Sequence, residues 1–333
     1  MKRYLITACV VVLTVAGVAA FWPQETVTAQ MTAQEAARAT GLPTGIKVSA
    51  EPLALSLPAT GGNISFVAGW ALTSEHDDFG GFSGLLLEEE TSQLTAINDK
   101  GDWWQAPFEV QGAIAPYGGT MRAYTMGAVS DKEDLDAESL LHLNGGYLIS
   151  FEQNHRLEFQ PEVGGKPTPD TGFAAIDFAG VSKNSGMEAI AVLPSGELLA
   201  FTERGRDTQG KLKAWLVSDG EARPLFFAPP KNFAPTDAAT LPNGDVLVLL
   251  RKYSVIEGVE VRLHHLKADS IIAGAVLTGE QVLRLTPDGP VDNMEGLDFV
   301  ALNSNTVRLA MISDDNFSAL QRTLLMLFDY KYQ

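Results

Sequence analysis

The chain has 333 residues, 45% of them hydrophobic, with 31 Gly and 17 Pro; this is a folded, turn-rich composition and excludes a disordered or coiled-coil chain. Its 24 basic against 41 acidic residues leave a net charge of -17, a field that disfavours nucleic acid and anionic membranes as partners. The lone cysteine, Cys9, allows no disulfide framework, so a metal in the body of the chain must be held by oxygen or imidazole.

In chain order, Lys2 and Arg3 precede an apolar run from Tyr4 to Trp22 that Pro23 ends, the pattern of a secretory signal. Val27-Thr28-Ala29 offers small residues for cleavage before Gln30, and Val18-Ala19-Ala20 a second site. An uncleaved N-terminal anchor is the alternative, because the run approaches the roughly 20 residues that span a bilayer. Residues 1–29 are therefore expected to direct the chain to the periplasm or the medium, and their removal leaves 22 basic against 40 acidic residues. Residues 30–46 read as a linker with a short Ala-rich helical stretch, Thr32 to Thr40, followed by Gly41, Pro43 and Gly45.

From Lys47 to the end, short alternating apolar runs bounded by Gly, Pro, Asn and Asp predict strands and turns throughout. Five segments are self-similar: Phe82-Ser83-Gly84-Leu85, Ala137-Glu138-Ser139-Leu140, Met187-Glu188-Ala189-Ile190, Thr236-Asp237-Ala238-Ala239 and Met294-Glu295-Gly296-Leu297. Each opens a strand and is followed by a turn and a second strand that ends on a charge: Asp99, Glu152, Glu203, Arg251, and Asp314 with Asp315. Successive units begin 55, 50, 49 and 58 residues apart, the spacing of four-stranded propeller blades. Leu193-Pro194-Ser195-Gly196-Glu197 and Leu241-Pro242-Asn243-Gly244-Asp245 are near copies of one turn, with Gly where φ must be positive. The expected fold is an all-β propeller over residues 47–333. Six blades are expected, Lys47 to Thr73 completing the sixth with Thr323 to Tyr332; five is the alternative.

Equivalent residues of a propeller surround one axis, so repetition becomes convergence. Glu138, Glu188, Asp237 and Glu295 share one predicted position, and Asp99, Glu152, Glu203 and Asp314 the other, with Asp315 beside the last. Clustered carboxylates raise one another's pKa unless a cation neutralises them, and Ca²⁺ is the cation that takes many hard oxygen ligands. His155, three residues beyond Glu152, is the candidate general base; Arg156, Arg204, Arg251 and Lys252 are candidates to pair anionic substrate oxygens. Gly81-Phe82-Ser83-Gly84-Leu85 lacks the last Gly of a nucleophile elbow, and the five histidines show no zinc-type spacing.

Phe79-Gly80-Gly81-Phe82-Ser83-Gly84-Leu85, Asp99-Lys100-Gly101-Asp102-Trp103, Asp136-Ala137-Glu138-Ser139-Leu140, Ser150-Phe151-Glu152, Gly186-Met187-Glu188-Ala189-Ile190, Asp292-Asn293-Met294-Glu295-Gly296-Leu297 and Ile312-Ser313-Asp314-Asp315-Asn316-Phe317 resemble the family named for esterase-like activity of phytase. The resemblance spans about Ser65 to Tyr330. It implies a secreted phosphoester or ester hydrolase with calcium at the repeated Asp and Glu residues, in which Glu188 and Glu295 take part in catalysis and the metal lowers the pKa of an attacking water. The sequence departs from the family pattern at Ser83 and Arg251, where acids are expected. A calcium-using propeller lactonase, and a non-catalytic periplasmic binding or scaffold propeller, are the alternatives. The expected partner is a small anionic or ester substrate, and the expected state a monomer.

Overall fold

A computed structural model describes residues 41–56, 62–124, 135–169 and 176–332. The expected signal segment, residues 1–29, and the helical stretch after it lie outside the described residues. The chain enters through β1 (Thr44–Lys47), β2 (Ser49–Pro52) and β3 (Ile64–Thr73). Blade 1 then runs β4 (Phe82–Glu88), β5 (Gln93–Asn98), β6 (Trp103–Pro107) and β7 (Gly118–Arg122), and blade 2 runs β8 (Ala137–Leu143), β9 (Gly146–Phe151), β10 (Arg156–Gln160) and β11 (Thr168–Pro169). Blade 3 is β12 (Met187–Val192), β13 (Leu198–Arg206), β14 (Leu212–Ser218) and β15 (Glu221–Phe227). Blade 4 is β16 (Ala234–Thr240), β17 (Val246–Ser254), β18 (Gly258–Leu266) and β20 (Glu280–Leu285), while the intervening β19 (Val276–Leu277) adds in parallel to the edge of blade 3. Blade 5 opens with β21 (Asn293–Asn303), β22 (Thr306–Asp314) and β23 (Thr323–Lys331).

Among the described residues there are five blades, not the expected six. The N-terminal and C-terminal runs do meet, β3 pairing antiparallel with β23 in the register Leu325↔Trp70. They meet, however, on the hairpin β21–β22, giving the order β2-β3-β23-β22-β21, so together they complete the fifth sheet and leave nothing for a sixth. The expected linker also ends early: Thr44–Lys47 is an outer strand of blade 1, paired with β7. The inner strands close a ring, each of β4, β8, β12, β16 and β21 lying against the next and β21 against β4.

Strand alternation supplies the two faces that each blade must bury. In β17, Val246, Val248 and Leu250 pack toward blade 3 with Phe201 and Phe227, whereas Leu247 and Leu249 pack toward blade 5 with Met294, Met311 and Phe328. The remaining seams are equally apolar: Trp104, Leu85, Ile312 and Leu325 between blades 1 and 5, Trp103, Ile97 and Phe151 between blades 1 and 2, and Leu148, Met187 and Trp215 between blades 2 and 3. The two copied turns join inner to second strands, with Gly196 at φ 85 and Gly244 at φ 88. Those turns lie at one end of the blades, and the charged residues starting the inner strands and ending the second strands lie at the other. Among the described residues the only helical element is the 3₁₀ turn Ala268–Ser270, and no helix is long and apolar enough to cross a membrane.

Candidate functional site

Every inner strand carries a β-bulge near its start, and the bulged residues are Ser83, Glu138, Glu188, Thr236 and Glu295. A bulge leaves one residue outside the ladder and re-aims its side chain; here five of them surround the channel. The residue two positions earlier pairs in every blade with the charged end of the second strand. Asp99, Glu152 and Glu203 donate their N–H to the carbonyls of Gly81 (2.9 Å), Asp136 (2.8 Å) and Gly186 (3.2 Å), and Arg251 and Asp314 lie opposite Ala234 and Asn293.

This register corrects one assignment. Thr236 occupies the bulge in blade 4, and Asp237 is the next residue, back in the ladder opposite Leu249. Its carboxylate is 1% exposed and accepts from Ser139 Oγ (2.9 Å), Leu297 N (2.7 Å) and Ala238 N (2.9 Å). Asp237 thus straps blade 4 to blades 2 and 5, and its oxygens are filled by protein donors. Asp315 is likewise committed to structure, accepting from Gly81 N, Phe317 N and Thr323 Oγ1.

The remaining acids converge. Burial pushes the Glu138 carboxyl well above the usual range, and Glu188, Glu152, Asp136 and Glu295 push it further. Burial also raises Glu188, with Glu203 and Glu152 adding to it. Burial raises Glu152 against hydrogen bonds from Glu188 and from Gly186 N, the latter 2.6 Å long. Desolvation lifts Asp99 to about 7, with Asp314 and Asp136 adding their charge. It lifts Asp314 to about 6, and Glu295 to about 8 against the pull of Arg251. Such shifts mark carboxyls crowded into a site poor in water, where protons or a cation must balance the charge.

Asp136, Glu138 and Glu152 of blade 2 place one oxygen each within 4.8 Å of the others. Two ligands of one Ca²⁺, at about 2.3–2.6 Å from the ion, sit no more than about 5 Å apart. This hard-oxygen triad therefore fits a calcium ion. Sequence reasoning missed Asp136 as a ligand, although it stands two residues before Glu138 on the same strand approach.

The basic candidates divide. Only Arg251 faces the channel centre: its Nη1 bonds Asn293 Oδ1 and lies 3.4 Å from Glu295 Oε1, and its Nη2 lies 3.6 Å from Glu203 Oε1. Arg204 pairs with Glu203 at 2.7 Å from the exposed rim. Arg156 binds Glu158 at 2.7 Å and lies over the Phe151 ring, and Lys252 reaches Glu257 and Glu260 of its own blade; neither joins the centre. His155 is also turned away. Its Nε2 bonds Ser182 O at 3.1 Å, its ring stacks on Phe178, and Nδ1 is buried against Gly186 without a partner. With both nitrogens facing protein, it cannot serve as the general base. The residue pattern alone could not reveal this, because the packing depends on Gly186 in another blade.

Fold and site together define a five-bladed β-propeller with a carboxylate-lined channel mouth. Residues 77–317 match the Phytase-like family, described as esterase-like activity of phytase, and the chain belongs to that family. No curated protein matches it. Among solved structures it is similar to a protein of unknown function from Dyadobacter fermentans, with 14% identity, 83% of this chain and 87% of that chain covered, and a TM-score of 0.43. It is also similar to a hypothetical protein from Leishmania major, with 11% identity, coverages of 84% and 90%, and a TM-score of 0.39. The β-propeller domain of Myceliophthora thermophila Cps50 (Swd1) matches with 10% identity, coverages of 75% and 96%, and a TM-score of 0.37. Likenesses at this level carry no functional weight.

Proposed function

We propose that the protein is an exported, calcium-dependent hydrolase that cleaves a small phosphoester or carboxylic ester at the acidic channel mouth. The observation that carries this reading is the blade 2 triad, three carboxylates within ligand distance of one cation position in a family described by esterase-like activity. A calcium ion bound there supplies a Lewis acid that polarises the substrate oxygen and lowers the pKa of water.

The chain's own residues do the rest. Asp136, Glu138 and Glu152 hold the cation. In the Glu152–Glu188 pair, Glu152 is ionised on the cation and Glu188, raised by burial with Glu203 and Glu152 adding their charge, holds the proton. Glu188, which lies beside the triad and is not part of it, is the proton donor to the leaving group; Glu295 tunes the pair through charge. An anionic substrate approaches against the field of the acids and is accepted only once the cation is in place. The same arrangement serves lactone opening, since carboxylic ester and lactone cleavage alike need a polarised carbonyl and a proton donor.

Export belongs to the same reading. Residues 1–29 act as the signal, and the folded body works in the periplasm or medium as a monomer. N-terminal sequencing of the processed protein checks this, Gln30 being the expected first residue.

The deciding experiment is an assay of purified protein against phytate, simple phosphomonoesters, phosphodiesters, carboxylic esters and lactones, with calcium or with chelator. Turnover of at least one class is expected with calcium, falling at least about 100-fold in Glu188→Gln, within the usual range for a proton donor. Calcium binding without turnover of any class would leave a binding propeller instead.

A further inference from the structure

Blades 2 and 5 carry polar side chains at the same three structural positions, three acids in blade 2 and two acids with an amide in blade 5, and the two sets have been finished differently. In blade 2 the set is Asp136, Glu138 and Glu152. In blade 5 it is Asn293, Glu295 and Asp314, with Asn293 in the register place of Asp136. The Asn293 amide bridges its neighbours, Nδ2 donating to Glu295 Oε1 at 2.7 Å and to Asp314 Oδ2 at 3.0 Å. Its Oδ1 accepts from Arg251 Nη1, and the same guanidinium lies 3.4 Å from Glu295 and 3.6 Å from Glu203.

We propose that Arg251, held by Asn293, is a resident cation that makes the blade 5 acids unavailable to metal, leaving the blade 2 triad as the single divalent-cation site of the channel. The reasoning is one of lone pairs and charge. A metal ion needs open oxygen lone pairs and net negative ligands; in blade 5 an amide replaces one acid, its N–H groups fill oxygens of the other two, and a guanidinium supplies positive charge. Arg serves this purpose because it stays charged and spreads several donors over more than one acceptor. Among the described residues, no cation is paired with Asp136, Glu138 or Glu152 of blade 2. Asp136 accepts from Gln153 at 3.3 Å and Glu152 from Gly186 N, both neutral donors. Among the described residues, the one group of three acid oxygens close enough to share an ion is the blade 2 triad. The position of Arg251 within the repeat agrees, since the other four blades place Asp99, Glu152, Glu203 and Asp314 there.

This inference rests on the proposed calcium reading, and its test separates the two. Calcium stoichiometry is measured by calorimetry and native mass spectrometry on the wild type and on the double variant Arg251→Gln/Asn293→Asp, with Arg251→Lys as a charge-retaining control. One calcium per chain is expected for the wild type and the control, and two for the double variant. One calcium in both wild type and double variant overturns the role of Arg251, as do two in the wild type or none in either. None in the wild type with one in the double variant upholds the exclusion by Arg251 and overturns the calcium reading of blade 2. If circular dichroism shows the double variant unfolded, single variants decide. Glu152→Gln should weaken the wild-type site at least about tenfold and Glu295→Gln by less than about twofold; equal losses from both overturn the division into two halves.

Discussion

Asp237 offers the sharpest separation of structure from chemistry, because it resembles a ring acid in sequence and behaves as a strap in the fold. Replacing it with Ala removes the acceptor for Leu297 N at 2.7 Å, Ser139 Oγ at 2.9 Å and Ala238 N at 2.9 Å. The Ser139 hydroxyl can rotate, but the two backbone N–H groups keep their direction. A buried donor left without a partner costs about 1–3 kcal/mol. Taking the cross-blade bonds as the main loss, Asp237→Ala should destabilise the protein by about 3–5 kcal/mol. At roughly 2–4 °C per kcal/mol for a domain of this size, Tm should fall by about 6–20 °C. Asp237→Asn keeps the shape but turns an amide N–H toward one donor, so about half that loss is expected. Scanning calorimetry with and without calcium, combined with a calcium titration, provides the assay. Calcium affinity should stay within about twofold of wild type once the variant is folded. An unchanged Tm together with a tenfold weaker calcium site would refute the strap and restore Asp237 to the ring.

Glu138→Gln should weaken calcium binding at least tenfold, about 1.4 kcal/mol, by calorimetry; Glu89→Gln, on an exposed side chain bonded to Gln111, should leave it unchanged. The pH dependence of the metal-free protein has a definite sign. Asp99, Asp314 and Glu295, raised by burial to about 7, 6 and 8, keep protons in the folded state that the unfolded chain has already released. Their contribution is full below the ordinary carboxylate pKa and is lost as pH rises through those values. Tm in chelator should therefore fall between pH 5 and pH 8, with calcium reversing the fall at pH 8, and a flat or rising profile would contradict the crowded ring. Gly296→Ala places a Cβ 2.7 Å from Ile312 Cγ2 and 2.9 Å from Leu85 Cβ across the seam between blades 5 and 1. It should cost about 2 kcal/mol in urea denaturation.

The propeller was legible because its unit is written out several times. Turns such as Leu193 to Glu197 and Leu241 to Asp245 fix where each hairpin reverses, and apolar alternation fixes both faces of each blade. Blade number was less legible, since alternation shows that 64–73 and 323–331 are strands but not that both belong with β21–β22. Glu138, Glu188 and Glu295 take the bulge positions of blades 2, 3 and 5, as their place in the repeat suggested, whereas in blade 4 the bulge falls one residue before Asp237. There Thr236 takes the bulge, and a bulge leaves no mark in composition. A slip of one residue in a strand reverses the side chain's direction, which turned a structural carboxylate into an expected ligand. The distinction between Asp136, whose carboxylate stands close to those of Glu138 and Glu152, and Asn293, whose amide bridges Glu295 and Asp314, lay in side-chain partners brought from other strands.

Closure of blade 5 by β3 and β23 has a consequence for how the molecule is made. A chain synthesised from its N-terminus displays β2 and β3 long before their partner exists, and their hydrogen-bonding edge stays open until Thr323–Lys331 has emerged. Pairing across so much intervening chain is slow to find, and open edges in the meantime invite association with other chains. Glu295 and Asp314 take their fixed relation to the carboxylates of blades 1 and 2 from the contact of β21 with β4, which closes the ring of inner strands. A chain cut before β23 would carry every one of these acids and lack the strand that joins β3 to β22 in blade 5.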